Sequence, residues 1–320
     1  MGVKMRHLRH LLLIAVAAVP MSTATFAASG DTPVSSSGSV GRAPVAGSVT
    51  AMVAPSFGTG KTDLNEVVAT GATVAPSEPF PENGLSTVAH GKFGPSPESI
   101  INWDARTRAY TTSYPNRAIV FIELNGQHLC TGWMYSPRMV VTAGHCVHTG
   151  GSSGAWRNRT QMRVYAGRNG TASPYGSCTV ARLHSVLGWT RDNNFRFDYG
   201  AMRLSCTIGN TVGWFGLYAP NSLNMPAIIG GYPGDKPRTQ WTAADKIRQV
   251  SNEMIAYRMD SIGGHSGSPI WHDRDEGTAT SGAWGFGVHN YGVGAFGSNT
   301  NSAARLTAVR IQNYINWRDQ

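Results

Sequence analysis

The chain has 320 residues, 38 of them glycine and 17 proline, and only 14% are charged. That texture argues against a helical bundle and against a long disordered acidic tail. The formal net charge is +9, and the excess lies wholly after residue 98, before which basic and acidic side chains balance. A basic globular body suits acidic substrates or surfaces. No Lys/Arg run and no basic stretch interleaved with aromatic residues suggests nucleic acid.

In chain order, Lys4, Arg6, His7 and Arg9 precede the apolar run "LLLIAVAAVP", Leu11 to Pro20. About ten apolar residues are too few to span a bilayer but suit a signal-peptide core. Small residues follow in "STATFAAS", so cleavage is expected after Ala27 or Ala28. Residues 1–27 therefore read as a signal peptide on a secreted, extracellular protein with no membrane partner. Residues 28–98 are rich in Ala, Gly, Ser, Val, Pro and Thr, lack Cys and Trp, and have little periodicity. They read as a linker or pro-segment, part of which folds against the body.

From about Ile100 the pattern changes to short apolar runs broken by Gly, Pro and Asn. "AIVFIEL" (118–124), "RMVVTAG" (138–144), "QMRVYAG" (161–167), "PAIIGGY" (226–232) and "GAWGFGVH" (282–289) read as strands, with a turn at "RNG" (168–170). Many short strands over some 200 residues indicate an all-β sandwich or a pair of barrels. Near the end, Leu306, Val309, Ile311, Tyr314, Ile315 and Trp317 fall on one face of a helix over about 307–317.

Four cysteines, Cys130, Cys146, Cys178 and Cys206, imply two disulfides in an exported chain. Three pairings are open; sequence order favours Cys130–Cys146 with Cys178–Cys206. Their spacing does not suit a metal site, and no H-E-x-x-H is present, so neither metal nor cofactor is expected.

Three local stretches carry chemistry. "VVTAGHCV" places His145 at a strand end, "FDYGAMRL" places Asp198 before an alternating apolar stretch, and "GGHSGSP" places Ser266 between glycines. Hydrolysis by a serine needs a base to take its proton and an acid to fix the tautomer of that base. The order His, Asp, Ser is the chymotrypsin-type order. The N–H groups of Gly264 and Ser266 would face the developing oxyanion.

The region from Ser99 onward resembles the bacterial glutamyl endopeptidases, a branch of the chymotrypsin-like serine proteases. The matching stretches include "RTRAYTTSYPNRAIVFIEL", "CTGWM", "VTAGHCV", "GRNGT", "SPYGS", "DYGAMRL", "IGNTVGWFG", "GYPGDK", "MDSIGGHSGSP" and "GVHNYG". The resemblance implies two six-stranded antiparallel β-barrels, here with a C-terminal helix and a boundary near 207–215. It implies residues 28–98 as a propeptide and 99–320 as the mature domain. It makes His145 the general base and acid, Asp198 its orienting partner and Ser266 the nucleophile. It also implies cleavage after Glu, less well after Asp, with His289 and Ser261 in the substrate-binding pocket. Ser99, whose new amine would lie near that pocket, joins them. Glu98–Ser99 would then be a bond the enzyme cuts in itself. The expected partners are protein or peptide substrates and the chain's own propeptide, the enzyme acting as a monomer.

One residue pulls the other way. Asp260 stands six residues before Ser266, the offset at which trypsin-like enzymes carry the Asp that binds Arg or Lys. His265 stands where such enzymes carry the Asp that pairs with the freed N-terminus, so activation by that ion pair is not open to this chain. A non-catalytic binding protein on the same fold is the rival from another class, opposed by retention of all three triad residues. A polyanion binder rests on the net charge alone.

Overall fold

The computed structural model describes residues 29–44, 52–60, 99–220, 223–274 and 281–320; the expected signal peptide and residues 61–98 lie outside them. Alternation builds the strands. In Met162–Ala166 the residues Met162, Val164 and Ala166 are buried while Arg163 and Tyr165 are half-exposed, the period-two pattern of a sheet with one face on a core.

A short strand β1 (Pro33–Ser35) comes first, then β2 (Thr107–Arg108). Next come β3 (Ile119–Leu124), β4 (Gln127–Met134), β5 (Met139–Thr142), β6 (Met162–Ala166), β7 (Cys178–Val186) and β8 (Gly200–Leu204). These six pair in the order β7-β6-β3-β4-β5-β8, and β7 closes on β8. A connection carrying β9 (Gly216–Leu217) leads to β10 (Pro226–Gly231), β11 (Trp241–Val250), β12 (Met254–Tyr257), β13 (Pro269–Arg274), β14 (Gly282–Tyr291) and β15 (Asn301–Arg305). Their order is β10-β13-β14-β15-β12-β11, closed by β10 on β11. The result is two closed six-stranded antiparallel barrels, and closure leaves neither sheet with a free long edge.

Each strand foreseen from composition is present, within a residue or two at its ends. Cys130 is bonded to Cys146 and Cys178 to Cys206, both within the first barrel, the pairing that sequence order favoured. The C-terminal helix runs Ala308–Arg318, with the Thr307 side chain accepting from the Arg310 N–H as its cap. It leaves the second barrel but buries Ile311, Tyr314 and Trp317 in the larger core, which the first barrel shares. Tyr135 donates to the carbonyl of Tyr314 at 3.1 Å, and Trp317 stacks on His184. At about 1.5–3 kcal/mol for each large apolar side chain buried, this face fastens the two barrels together. Among the described residues no helix is long and apolar enough to cross a membrane.

Candidate active site

Strand β5 ends at Thr142 and turns through a single 3-10 turn, Gly144–Cys146, that presents His145. Gly144 is required there by close approach. A Cβ on it would lie 2.8 Å from Asp198 Oδ1 and 2.9 Å from Trp189 Cδ1. The Cys130–Cys146 bond ties this turn to β4.

Asp198 follows a 3-10 turn, Phe195–Phe197, just before β8, and is fully buried. Its Oδ1 accepts from the backbone N–H of His145 at 2.7 Å, and its Oδ2 lies 2.7 Å from His145 Nδ1. An ionised carboxylate can only accept, so Nδ1 carries a hydrogen and Nε2 holds the lone pair of the neutral ring. Tyr291 donates its hydroxyl to the same Oδ2, and Asn290 Nδ2 donates to the Asp198 carbonyl at 3.3 Å. The rings of Trp189 and Tyr291 flank His145 at 6.4 and 6.1 Å between centroids. The carboxylate thus has three donors in a dry site, which compensates the burial of its charge.

The loop bearing Ser266 comes from the second barrel and lands on this turn. The Ser266 carbonyl accepts from the Thr131 N–H at 2.9 Å and lies 3.8 Å from Cys146 Sγ, a packing contact because the bonded sulfur has no hydrogen. The next residue, Gly267, donates to the carbonyl of His289 at 2.7 Å. These contacts seat the Ser266 loop against β4 and the disulfide-bonded turn of the first barrel on one side and against His289 of β14 on the other.

The peptide planes of the loop are fixed. The Gly263 carbonyl accepts from the Gly234 N–H at 2.7 Å, and the His265 carbonyl accepts from the Ser268 N–H at 2.8 Å. In a trans peptide the N–H points opposite to the carbonyl. The N–H groups of Gly264 and Ser266 are thereby directed away from those two anchors. Gly264 reaches this arrangement at φ +103°, a conformation an L side chain resists. Its own carbonyl takes the Thr131 hydroxyl at 2.8 Å.

His289 lies on β14, fully buried, with Nδ1 2.6 Å from the Tyr257 hydroxyl. The Ser261 hydroxyl is fully buried and has no hydrogen-bond partner among the described residues. Ser261 N–H and Asn301 Nδ2 both donate to the Ser99 carbonyl, at 3.2 and 2.7 Å, and Asn301 Oδ1 accepts from Ser99 N–H at 3.1 Å. Residue 99 is thus seated beside the 259–262 segment.

Asp260 is turned to the chain's own backbone. Its two oxygens accept from the N–H groups of Ile101 and Ala105 at 2.7 and 2.8 Å, and the residue is 2% exposed. Burial holds its pKa above the usual carboxylate value, outweighing those two donors. His265 is also buried. Loss of hydration, with His289, Arg106 and His128 as like-charged neighbours, keeps its pKa well below the ordinary histidine value.

Tyr291, Tyr257, Trp189 and Asn301 were not singled out from the sequence. For Tyr291 a signal was present, since it stands two residues beyond His289 in "GVHNYG". Among the described residues, Cys130, His145 and Cys146 are the group whose donor atoms come close enough for a metal ion, and both cysteines are spent in a disulfide.

The trypsin family model matches residues 106–318. A glutamyl endopeptidase of Bacillus licheniformis is 43% identical over 226 residues, 69% of this chain and 70% of that protein. A Bacillus subtilis protein named extracellular metalloprotease is 34% identical over 234 residues, 70% of this chain and 71% of its own length. A solved Glu endopeptidase in complex with MPD superposes with a TM-score of 0.61 at 26% identity, covering 69% of this chain and all of that one. Fold and match together define a chymotrypsin-like serine endopeptidase. The chain belongs to the trypsin family and within it stands with the glutamyl endopeptidases.

Proposed function

We propose that this protein is an exported endopeptidase that cleaves peptide bonds after Glu, and less well after Asp, through a Ser-His-Asp acyl-enzyme mechanism. His145 Nε2 takes the Ser266 hydroxyl proton as the oxygen attacks the scissile carbonyl. The imidazolium that forms is stabilised by Asp198, itself held by Tyr291. The N–H groups of Gly264 and Ser266 receive the oxyanion, an interaction worth several kcal/mol in the transition state. His145 then protonates the leaving amine, and water hydrolyses the acyl-enzyme by the same steps in reverse.

The observation that carries the acidic preference is the buried pairing of His289 with Tyr257, together with a buried Ser261 hydroxyl that has no hydrogen-bond partner among the described residues. With Nδ1 engaged by Tyr257, Nε2 is the nitrogen that would serve a substrate carboxylate. When Tyr257 donates, the neutral ring carries its hydrogen on Nε2; the protonated ring carries one there too. A buried carboxylate needs such donors, because an unpaired one is very costly. The trypsin-like alternative asks Asp260 to face a cationic side chain, whereas both its oxygens already serve the chain's own N–H groups.

Export is supported by the leader sequence and the two disulfides. Maturation by a cut between Glu98 and Ser99 fits the same specificity. The new Ser99 amine would then remain on Asn301 rather than pairing with an Asp at position 265. Digestion of a peptide library, read by mass spectrometry, tests the preference: cuts after Glu are expected, and cuts after Lys or Arg instead would overturn it. In a pure preparation, Ser266→Ala is expected to stay uncut at residue 98.

A further inference from the structure

The pro-segment is expected to be discarded, yet its first part is built into the first barrel. Strand β1 pairs antiparallel with β7, Pro33 opposite Val186, Val34 opposite Ser185 and Ser35 opposite His184. The reason is local. Strand β6 covers β7 only at Cys178 and Thr179, so the edge from Leu183 onward has no barrel neighbour on that side. The segment supplies one and extends past it. Ser36 N–H donates to Leu183 O, Leu187 N–H to Thr32 O and Gly188 N–H to Gly30 O, each at 2.9 Å.

The side-chain contacts converge on the residues either side of Asp198. Asp31 Oδ1 accepts from the Tyr199 hydroxyl at 2.8 Å and meets Arg310 Nε at 3.3 Å. The Asp31 carbonyl accepts from Asn313 Nδ2 at 2.8 Å. Gly30 lies against Phe197 so closely that a Cβ would be 2.5 Å from the ring. Arg310 is 1% exposed and stacks on Phe197 and Tyr199, its guanidinium centre 5.5 and 4.8 Å from the two ring centroids. Its other hydrogen bonds go to the carbonyls of Glu253, Arg305 and Arg196, so among the described residues Asp31 is the carboxylate that meets this buried cation. Removing the half-buried Asp31 would leave the buried Arg310 cation without that carboxylate, which is destabilising. None of the segment's described hydrogen bonds goes to Ser266, His145, Ser261 or His289, so its contacts are not those of a plug in the cleft.

We infer that residues 29–44 form a retained positioning element. After the cut at residue 98 they stay bound to the body as a separate strand, and Asp31, through Arg310, Tyr199 and Phe197, holds the loop that carries Asp198. The inference rests on the triad assigned above. Asp31 is a positioning residue, touching no reacting atom.

The test takes full-length protein, lets it mature, purifies it under native conditions and identifies the peptides by mass spectrometry. Active sites are counted with a fluorophosphonate probe. Wild-type protein that takes no label would refute the protease reading itself, apart from this inference. Given labelling, a fragment beginning near Ser29 is expected to co-purify with the body. Asp31→Asn is expected to lower kcat per labelled site about ten- to a hundredfold, as for a slightly misplaced catalytic group. Its KM should change little, and the acid limb of its pH profile should move to lower pH because the His145 imidazolium is less well stabilised. Asp31→Glu should restore part of the loss. If Asp31→Asn does not fold, the fragment is stripped from wild type by gel filtration in high salt, and a synthetic peptide of residues 29–44 is added back; recovered kcat supports the inference. Full kcat per site in enzyme lacking the fragment would overturn it. So would an Asp31→Asn protein changed in melting temperature alone.

Discussion

The two barrels reach similar geometry by different means. The first contains both disulfides, and one of them locks the turn that bears His145. The second has no cysteine. Its loop with Ser266 and its 259–262 segment are held by hydrogen bonds: Asp260 to Ile101 and Ala105, Asn301 to Ser99 and Met259, and the Gly263 and His265 carbonyls to backbone N–H groups. His145 and Asp198 thus sit in a covalently braced frame, while the Ser266 loop and the 259–262 segment depend on how the chain from Ser99 to Ala105 lies down.

Breaking the covalent brace should have the largest effect. Replacing Cys130 and Cys146 by serine removes the closure of a loop of about 15 residues, a loss of about 3 kcal/mol in the chain-entropy model. The expected result is a lower denaturation midpoint, with KM for a Glu peptide preserved in whatever protein remains folded. Asp260→Ala attacks the other barrel. It strands the buried Ile101 N–H, at a cost of about 1–3 kcal/mol, along with the half-buried Ala105 N–H, and should raise KM more than it lowers kcat. Equal effects of the two substitutions on KM would erase the contrast between barrels.

Tyr291→Phe reaches across the boundary, because a second-barrel hydroxyl serves the first-barrel Asp198. Loss of one donor to a charged group, worth about 1.5–3 kcal/mol, should appear chiefly in kcat, in steady-state kinetics with sites counted by the probe. The smallest effect is on acid stability. His184, in the first barrel, is buried and its pKa is lowered to about 3, and that of His128 to about 4, burial being the main cause in both. Folded-state values below the unfolded value mean the unfolded chain binds more protons. The stabilisation is complete above pH 6.5 and is lost as pH falls toward those values. Melting temperature should therefore drop between pH 7 and pH 4.5, and His184→Gln should drop less over the same interval. An unchanged slope would remove His184 as a cause.

Much of this was legible in advance because it is local or ordered along the chain. The strands at 119–124, 162–166 and 226–231 follow from apolar runs between turn formers, and the helix from its stripe ending at Trp317. "TAGHC" and "GGHSGSP" announce tight turns through glycines that close approach demands. Asp260 was ambiguous for a physical reason: its offset from Ser266 fixes where the residue lies but not which way its carboxylate turns. That direction is set by N–H groups at 101 and 105, more than 150 residues away.

By itself, then, the sequence determined the barrels' strands and the order of the triad candidates, and it favoured without fixing the pairing of neighbouring cysteines, since each depends on short-range pattern or chain order. Tertiary structure decided that Tyr291 serves Asp198, that Asp260 is consumed by backbone, and that Asp31 neutralises Arg310. Those outcomes turn on atoms brought together from opposite ends of the chain, where direction and burial, rather than spacing, choose the partner.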